Sequence, residues 1–179
     1  METWREVERS RSPLIAELYA IWRRKRGDSD LPRRADFDPA EMKRLLPNII
    51  ISDLEPQPFR VRYRLVGTKV VAASGFDFSG RYLDEIALAS GAGKWLAQYR
   101  EVFETRRPLF GRTELPTMDG GSFVYEFALL PVTTDGRSAN QCLEIEDYGV
   151  FNDHLSELQT KVESWRPVPV SLKRNPSGP

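Results

Sequence analysis

The sequence predicts an α+β domain built on one antiparallel sheet with helices on one side. Three observations carry this reading. Two strand-like segments are joined by a tight turn, a stretch of about 40 residues then shows helical spacing without strand signal, and three more strand-like segments follow in succession. At 179 residues the chain has the size of one domain with terminal additions. It is long enough to bury roughly two-thirds of its unfolded surface without a metal or disulfide staple.

The first element is a helix. Leu14, Ile15, Leu18, Tyr19, Ile21 and Trp22 share one face, Ser12 stands at the N-cap and Pro13 at the first helical position. Arg23 to Arg26 place cations where they favour the negative end of the helix dipole, and Gly27 ends the helix. Residues 1–30 therefore read as an N-terminal helical piece. Its apolar face suits its own domain or a second copy, and Leu14, Leu18 and Trp22 are the candidate dimerisation residues.

Residues 31–149 read as the main domain. Asp38, Pro39 and Glu41 resemble a helix start with a capping box; Met42, Leu45 and Leu46 give the short helix its buried face, and Pro47 stops it. The isoleucine run in 48–54 predicts a central, well-covered strand. Glu55-Pro56-Gln57-Pro58 turns it into a hairpin with the next strand, where Phe59, Val61, Tyr63 and Leu65 alternate with Arg60, Arg62 and Arg64. Asp53 and Glu55 are available to pair with those arginines.

At Gly67 the period changes from two to helical. Thr68 is the expected cap of a short helix carrying Val70, Val71 and Ser74, which Gly75 ends. Residues 82–89 suggest a second, weaker helical piece. Trp95, Leu96, Tyr99, Val102 and Phe103 mark a longer amphipathic helix ending before Pro108. Strands over 109–116, 122–133 and 138–148 then form a meander, with turns at Asp119-Gly120-Gly121 and Asp135-Gly136. In the last two strands Phe123, Tyr125, Phe127 and Leu129 share a face, and Leu143 and Ile145 oppose Cys142, Glu144 and Glu146. The expected sheet thus has one apolar face for helices and one more polar face. Residues 150–165 read as a C-terminal helix and 166–179, rich in Pro and Ser, as a flexible tail.

The words of the sequence resemble a family. After the helix ending at Trp22 come Leu31-Pro32-Arg33-Arg34-Ala35-Asp36-Phe37-Asp38-Pro39, then Leu45-Leu46-Pro47. Tyr63-Arg64-Leu65-Val66-Gly67-Thr68 and Gly75-Phe76-Asp77-Phe78-Ser79-Gly80-Arg81 follow. This succession resembles the PAS domain, and within it a subfamily of short single-domain proteins found largely in alphaproteobacteria. The resemblance covers roughly Tyr19 to Tyr148. It implies a five-stranded antiparallel sheet in the order 2-1-5-4-3, with the crossover helices covering it. It also implies a signalling sensor or adaptor that binds a small ligand, a protein partner or both.

Bulk numbers and missing motifs narrow the chemistry. Twenty-six basic residues balance twenty-six acidic ones, which gives no footprint for nucleic acid. No apolar run approaches the ~20 residues of a membrane span, and the N-terminus lacks a secretion signal's apolar core. A single cysteine, Cys142, fits a reducing compartment. A cytoplasmic location follows as the expectation. The only histidine, His154, lies beyond the last strand, against His-ligated haem. Asn140-Gln141-Cys142 falls on a strand outside the context a covalent flavin adduct needs. The identity of any cofactor therefore stays open.

Gly91-Ala92-Gly93-Lys94 fails as a phosphate loop, because Leu88 and Trp95 stand where glycine and Ser or Thr are required. No core histidine activates a nucleophile, and no clustered Cys and His offers zinc ligation. Asp77, Asp84 and Glu85 read as a solvated loop. The chain is therefore expected to be non-catalytic. Tyr63, Val70, Phe76, Phe78, Trp95, Tyr99 and Phe127 are the candidate ligand-binding residues between sheet and crossover, with Val66 and Leu129 beside them. Tyr63, Tyr99 and Tyr125 carry polar tips able to orient a ligand. A filled core serving a purely structural interaction module is the alternative, and an enzyme using the same cavity a weaker one. Output would pass through a signalling partner or a homodimer.

Overall fold

The structure, a computed structural model, describes residues 1–86, 92–116 and 122–149. The expected turn at Asp119, the expected C-terminal helix and tail, and His154 lie outside the described residues.

Six strands form one antiparallel sheet: β1 (Glu2–Trp4), β2 (Ile49–Pro56), β3 (Phe59–Val66), β4 (Leu109–Pro116), β5 (Ser122–Val132) and β6 (Gln141–Asp147). Their order is β1-β4-β5-β6-β2-β3. Read from the β3 edge, the five expected strands stand in the expected order. The sheet nevertheless has six strands, because β1 adds itself to the β4 edge, pairing Trp4 with Phe110 and Glu2 with Arg112. Three residues are too few to show an alternation. Gly111 permits the approach, since a Cβ there would stand 2.5 Å from the Phe127 ring and 2.7 Å from the Glu2 carbonyl oxygen.

Both faces of the sheet are covered. Helix α1 (Pro13–Arg26) lies on one face, with Ile15, Leu18, Ile21 and Trp22 buried against Phe110, Leu130, Leu143 and Ile145. Its start is as expected: Ser12 Oγ accepts from the Ile15 amide at 3.0 Å, and Gly27 is the C-cap. Trp22 Nε1 donates to the Pro131 carbonyl at 2.8 Å. Helices α2 (Thr68–Ser74) and α3 (Ala92–Thr105) belong to the crossover on the other face. The expectation of one polar face is therefore corrected. The alternation within β6 is right, but both sides of it are inside, and all seven residues are buried.

Local corrections have physical reasons. No α-helix forms over 39–46; the segment closes instead by hydrogen bonds three residues apart, Met42 to Pro39 and Leu45 to Met42, and then a 3-10 turn at Leu46–Asn48. Asp38 accepts from the Ala40 amide two residues on, and Glu41 pairs with Arg24 and Lys25 instead of reaching back. An Asx turn at one end and Pro47 at the other leave too short a run to nucleate a helix. Met42 and Leu45 are nonetheless buried, as their spacing predicts.

The hairpin β2–β3 turns through Gln57-Pro58, and its register shifts between the Ile51–Leu65 and Ser52–Tyr63 pairs. Arg64 is the extra residue of this bulge, and it changes the phase of the strand. Phe59, Val61 and Tyr63 stay inside, whereas Leu65 is 44% exposed. Gly67, not Thr68, is the N-cap of α2. A Cβ at Gly67 would stand 2.4 Å from the Pro47 carbonyl oxygen, so the strand-to-helix joint requires glycine.

The second crossover piece is not helical in its described part. Residues 80–83 run beside β3, with Tyr63 bonded to Arg81 and Leu83 to Val61, and so cover the free edge of that strand. Leu83 and Ile86 are buried, and their spacing imitates a helix. Residues 87–89 lie outside the described residues. Among the described residues, no helix is long and apolar enough to cross a membrane.

Candidate functional site

On β6 the residues Cys142, Glu144 and Glu146 point to the crossover side. Register places Glu144 between Ile50 of β2 and Leu129 of β5, and Glu146 beside Phe127. Both carboxylates are inside, at 2% and 7% exposure. Tyr99 of α3 donates its hydroxyl to Glu144 and stands 3.4 Å from Ser52 Oγ. The Tyr63 hydroxyl is within reach of Tyr99. Tyr148 donates to Glu146, and Tyr125 bonds the same carboxylate. Asn48 Nδ2 donates to the Glu146 carbonyl at 2.7 Å.

Aromatic rings wall this cluster. Trp95 lies 4.6 Å from Phe127 and 6.4 Å from Tyr99, Tyr63 meets Phe78 edge-on at 4.7 Å, and Tyr125 lies 5.2 Å from Tyr148. Such surroundings disfavour charge. Burial, and then the neighbouring Glu146, hold the Glu144 carboxyl well above the usual carboxylate range, against the Tyr99 hydrogen bond. Burial pushes Glu146 up to about 7, against the bonds from Tyr148 and Tyr125. Burial raises the hydroxyls of Tyr63, Tyr99, Tyr125 and Tyr148, helped by Glu144 at Tyr99 and by both carboxylates at the other three, so all four stay protonated donors. The arrangement can hold a proton or exchange it for another positive group.

The structure places Tyr63, Val70, Phe78, Trp95, Tyr99 and Phe127 in one buried cluster, with Phe76 and Val66 partly buried against it and Leu129 within it. Sequence reasoning missed Glu144, Glu146, Tyr148, Ser52 and Asn48. The signal was present in the alternation of β6, but those carboxylates were assigned to the more polar face of the sheet. Cys142 is buried beside them as a free thiol, raised by burial. Asp77 accepts from the Ser79 amide, Asp84 pairs with Arg60 at 2.9 Å and Glu85 accepts from the Tyr82 amide, all within one loop region. Among the described residues, no group of Cys, His, Asp and Glu is placed to hold a metal.

A family model described as PAS domain matches residues 10–145. The chain belongs to the PAS domain family. No curated protein matches its sequence. Among solved structures, an RNA-binding light-oxygen-voltage receptor is 18% identical, with a TM-score of 0.46 over 75% of this chain and 41% of that one. The present chain thus spans about two-fifths of that receptor's length. The PAS domain of an HTR-like protein from Haloarcula marismortui is 19% identical, with a TM-score of 0.40 over 60% and 88% of the two chains. The light state of the blue-light photoreceptor Aureochrome1 LOV is 12% identical, with a TM-score of 0.44 over 68% and 95%.

Outside its core, this PAS domain carries an open groove of about 800 Å³ at the β2–β3 end of the α1 side. Arg34, Ile51, Asp53, Arg64 and Leu65 are among its walls. Arg64 pairs with Asp53 at 3.1 Å, one of the expected cross-strand pairs. Arg60 instead turns to Asp84 and stacks on Tyr82, 3.6 Å from the ring centre, while Glu55 accepts from the Tyr82 hydroxyl. Of the residues named for dimerisation, Leu18 and Trp22 are buried against the chain's own sheet and Leu14 is half-buried.

Proposed function

We propose that this PAS domain is a non-catalytic sensor or adaptor whose crossover core takes up a small ligand and reports the event to a signalling partner. The observation that carries this reading is the polar cluster itself. Burying two carboxylates costs stability unless they are paired, and a purely structural core is better served by apolar side chains. Tyr63, Val70, Phe76, Phe78, Trp95, Tyr99 and Phe127 are the proposed ligand contacts, with Glu144 and Glu146 as the polar floor. Tyr99 sits on α3, so any group that displaces its hydroxyl from Glu144 moves that helix, and a shifted helix face is what a partner or a second copy would read. A cytoplasmic location belongs to this proposal and fits the single free thiol.

Native mass spectrometry of the chain purified from its natural host tests the reading. A small molecule that is retained under gentle conditions and released on denaturation is the expected result. A bare mass in every preparation counts against it. That outcome would favour a filled interaction module, a reading supported by the way the tyrosine hydroxyls already satisfy part of the carboxylates.

A further inference from the structure

Among the described residues, the crossover core holds more acceptors than donors. An ionised carboxylate offers roughly four lone-pair sites. Glu144 receives the Tyr99 hydroxyl, and Glu146 receives those of Tyr148 and Tyr125. Every one of these donors is neutral. The nearest strand cations serve other partners, Arg60 with Asp84 and Arg64 with Asp53. Cys142 and Tyr63, on the same face, are themselves disfavoured as anions.

A third acceptor stands at the Glu146 main chain. Asn48 is 2% exposed, and its Nδ2 is spent on the Glu146 carbonyl. Its Oδ1 is buried and has no hydrogen-bond partner. Asn48 directly precedes β2, and its bond to the Glu146 carbonyl holds it at the end of β6. A buried amide oxygen left unpaired beside the Glu146 main chain lacks a donor, and a positively charged donor answers it together with the carboxylates.

We infer that the cluster of Glu144, Glu146 and Asn48 is the seat of a primary ammonium group, carried by a small ligand whose apolar part lies among Trp95, Phe127 and Phe78. The inference rests on the sensor reading above and names its ligand class. An ammonium has three N–H donors for the three acceptors. Its charge lets both carboxylates ionise together. With no ammonium bound, the tyrosine hydroxyls close over the carboxylates and the pair keeps a proton. Binding therefore releases a proton at neutral pH.

The test is calorimetric titration of the full chain with 2-phenylethylammonium, 2-phenylethanol and 3-phenylpropionate, which share a shape and differ in charge. The ammonium is expected to bind about tenfold or more tightly than the other two. Its heat is expected to change with the ionisation enthalpy of the buffer, as proton release requires. Glu144→Gln and Glu146→Gln are each expected to weaken it about tenfold or more. Should a Gln variant fail to fold, the wild-type charge preference and proton release decide the matter. Equal or tighter binding of the alcohol or the carboxylate overturns the ammonium class and leaves the sensor reading standing. No binding of the ammonium also overturns it. The native mass then decides separately on the sensor reading, which survives only if a molecule is retained.

Discussion

Glu146 connects burial to pH more directly than any other residue of this chain. Its ordinary value of 4.5 is raised to about 7 in the folded protein, so between these limits the folded state holds a proton that the unfolded state has lost. Stability from this group is complete below 4.5 and is lost as pH rises to about 7. Asp135 works in the opposite sense. The amides of Ser138 and Arg137 hold its carboxyl well below the ordinary 3.8, so its contribution is present above that value and lost as pH falls. Melting temperatures across this range should therefore decline toward neutrality in the wild type, and Glu146→Gln should flatten the decline; parallel curves would contradict the assignment. Tyr99→Phe leaves Glu144 short of a donor in the core and is expected to cost roughly 1–3 kcal/mol by denaturant unfolding. Gly67→Ala drives a Cβ toward the Pro47 carbonyl and should cost about as much. The residue scale was only partly legible in the sequence. The aromatic contacts around Tyr63 and Tyr99 followed from spacing, but a glutamate on a strand reads as solvent-facing until something is known to cover it.

Elements with strong chemical punctuation were read almost to the residue. Ser12-Pro13 and Gly27 bound α1, and the hairpin β2–β3 turns at its prolines. Where two signals compete, the reading failed. Asp38 and Pro39 mark a helix start, but Pro47 leaves no room to propagate one. The β3 alternation is true until the bulge at Arg64 reverses it. Helix α1 is also tied down in a way only the structure reveals. Glu126 accepts from Ser10 Oγ at 2.6 Å and from the amides of Arg11 and Ser12, and Ser12 Oγ donates to Asp147 at 2.5 Å. Ser12→Ala removes the cap and that bond together and is expected to cost about 1–2 kcal/mol. Leu18 is fully buried on the sheet side, so Leu18→Ala should cost roughly 2–5 kcal/mol. Sedimentation of the same variant, compared with wild type, separates this loss of stability from any role in assembly.

The described residues form a sheet sandwiched between α1 and the crossover, which explains why a chain of balanced charge keeps acidic groups inside. The middle of the α1 face is apolar, with Ile49, Ile51, Leu143 and Ile145 in line, while Glu126 and Asp147 hold the start of α1 at its end. Glu144 and Glu146 of β6 point instead to the crossover side, where tyrosines from two strands, a helix and the end of β6 converge on them. Five of the six strands and their order were legible because the PAS resemblance supplied a topology for the periodicities. The sixth, β1, was not, and neither was the coverage of both faces, since amphipathic spacing says that a helix covers something without saying which side. The account stands on the two carboxylates lying in that enclosed, proton-holding core. Carbon-detected NMR titration of the Glu side-chain carboxyls measures this directly. A Glu146 midpoint near 7, with Tyr125 and Tyr148 signals moving in step, is the expected result. A midpoint near the ordinary 4.5, with the tyrosines silent, would contradict it.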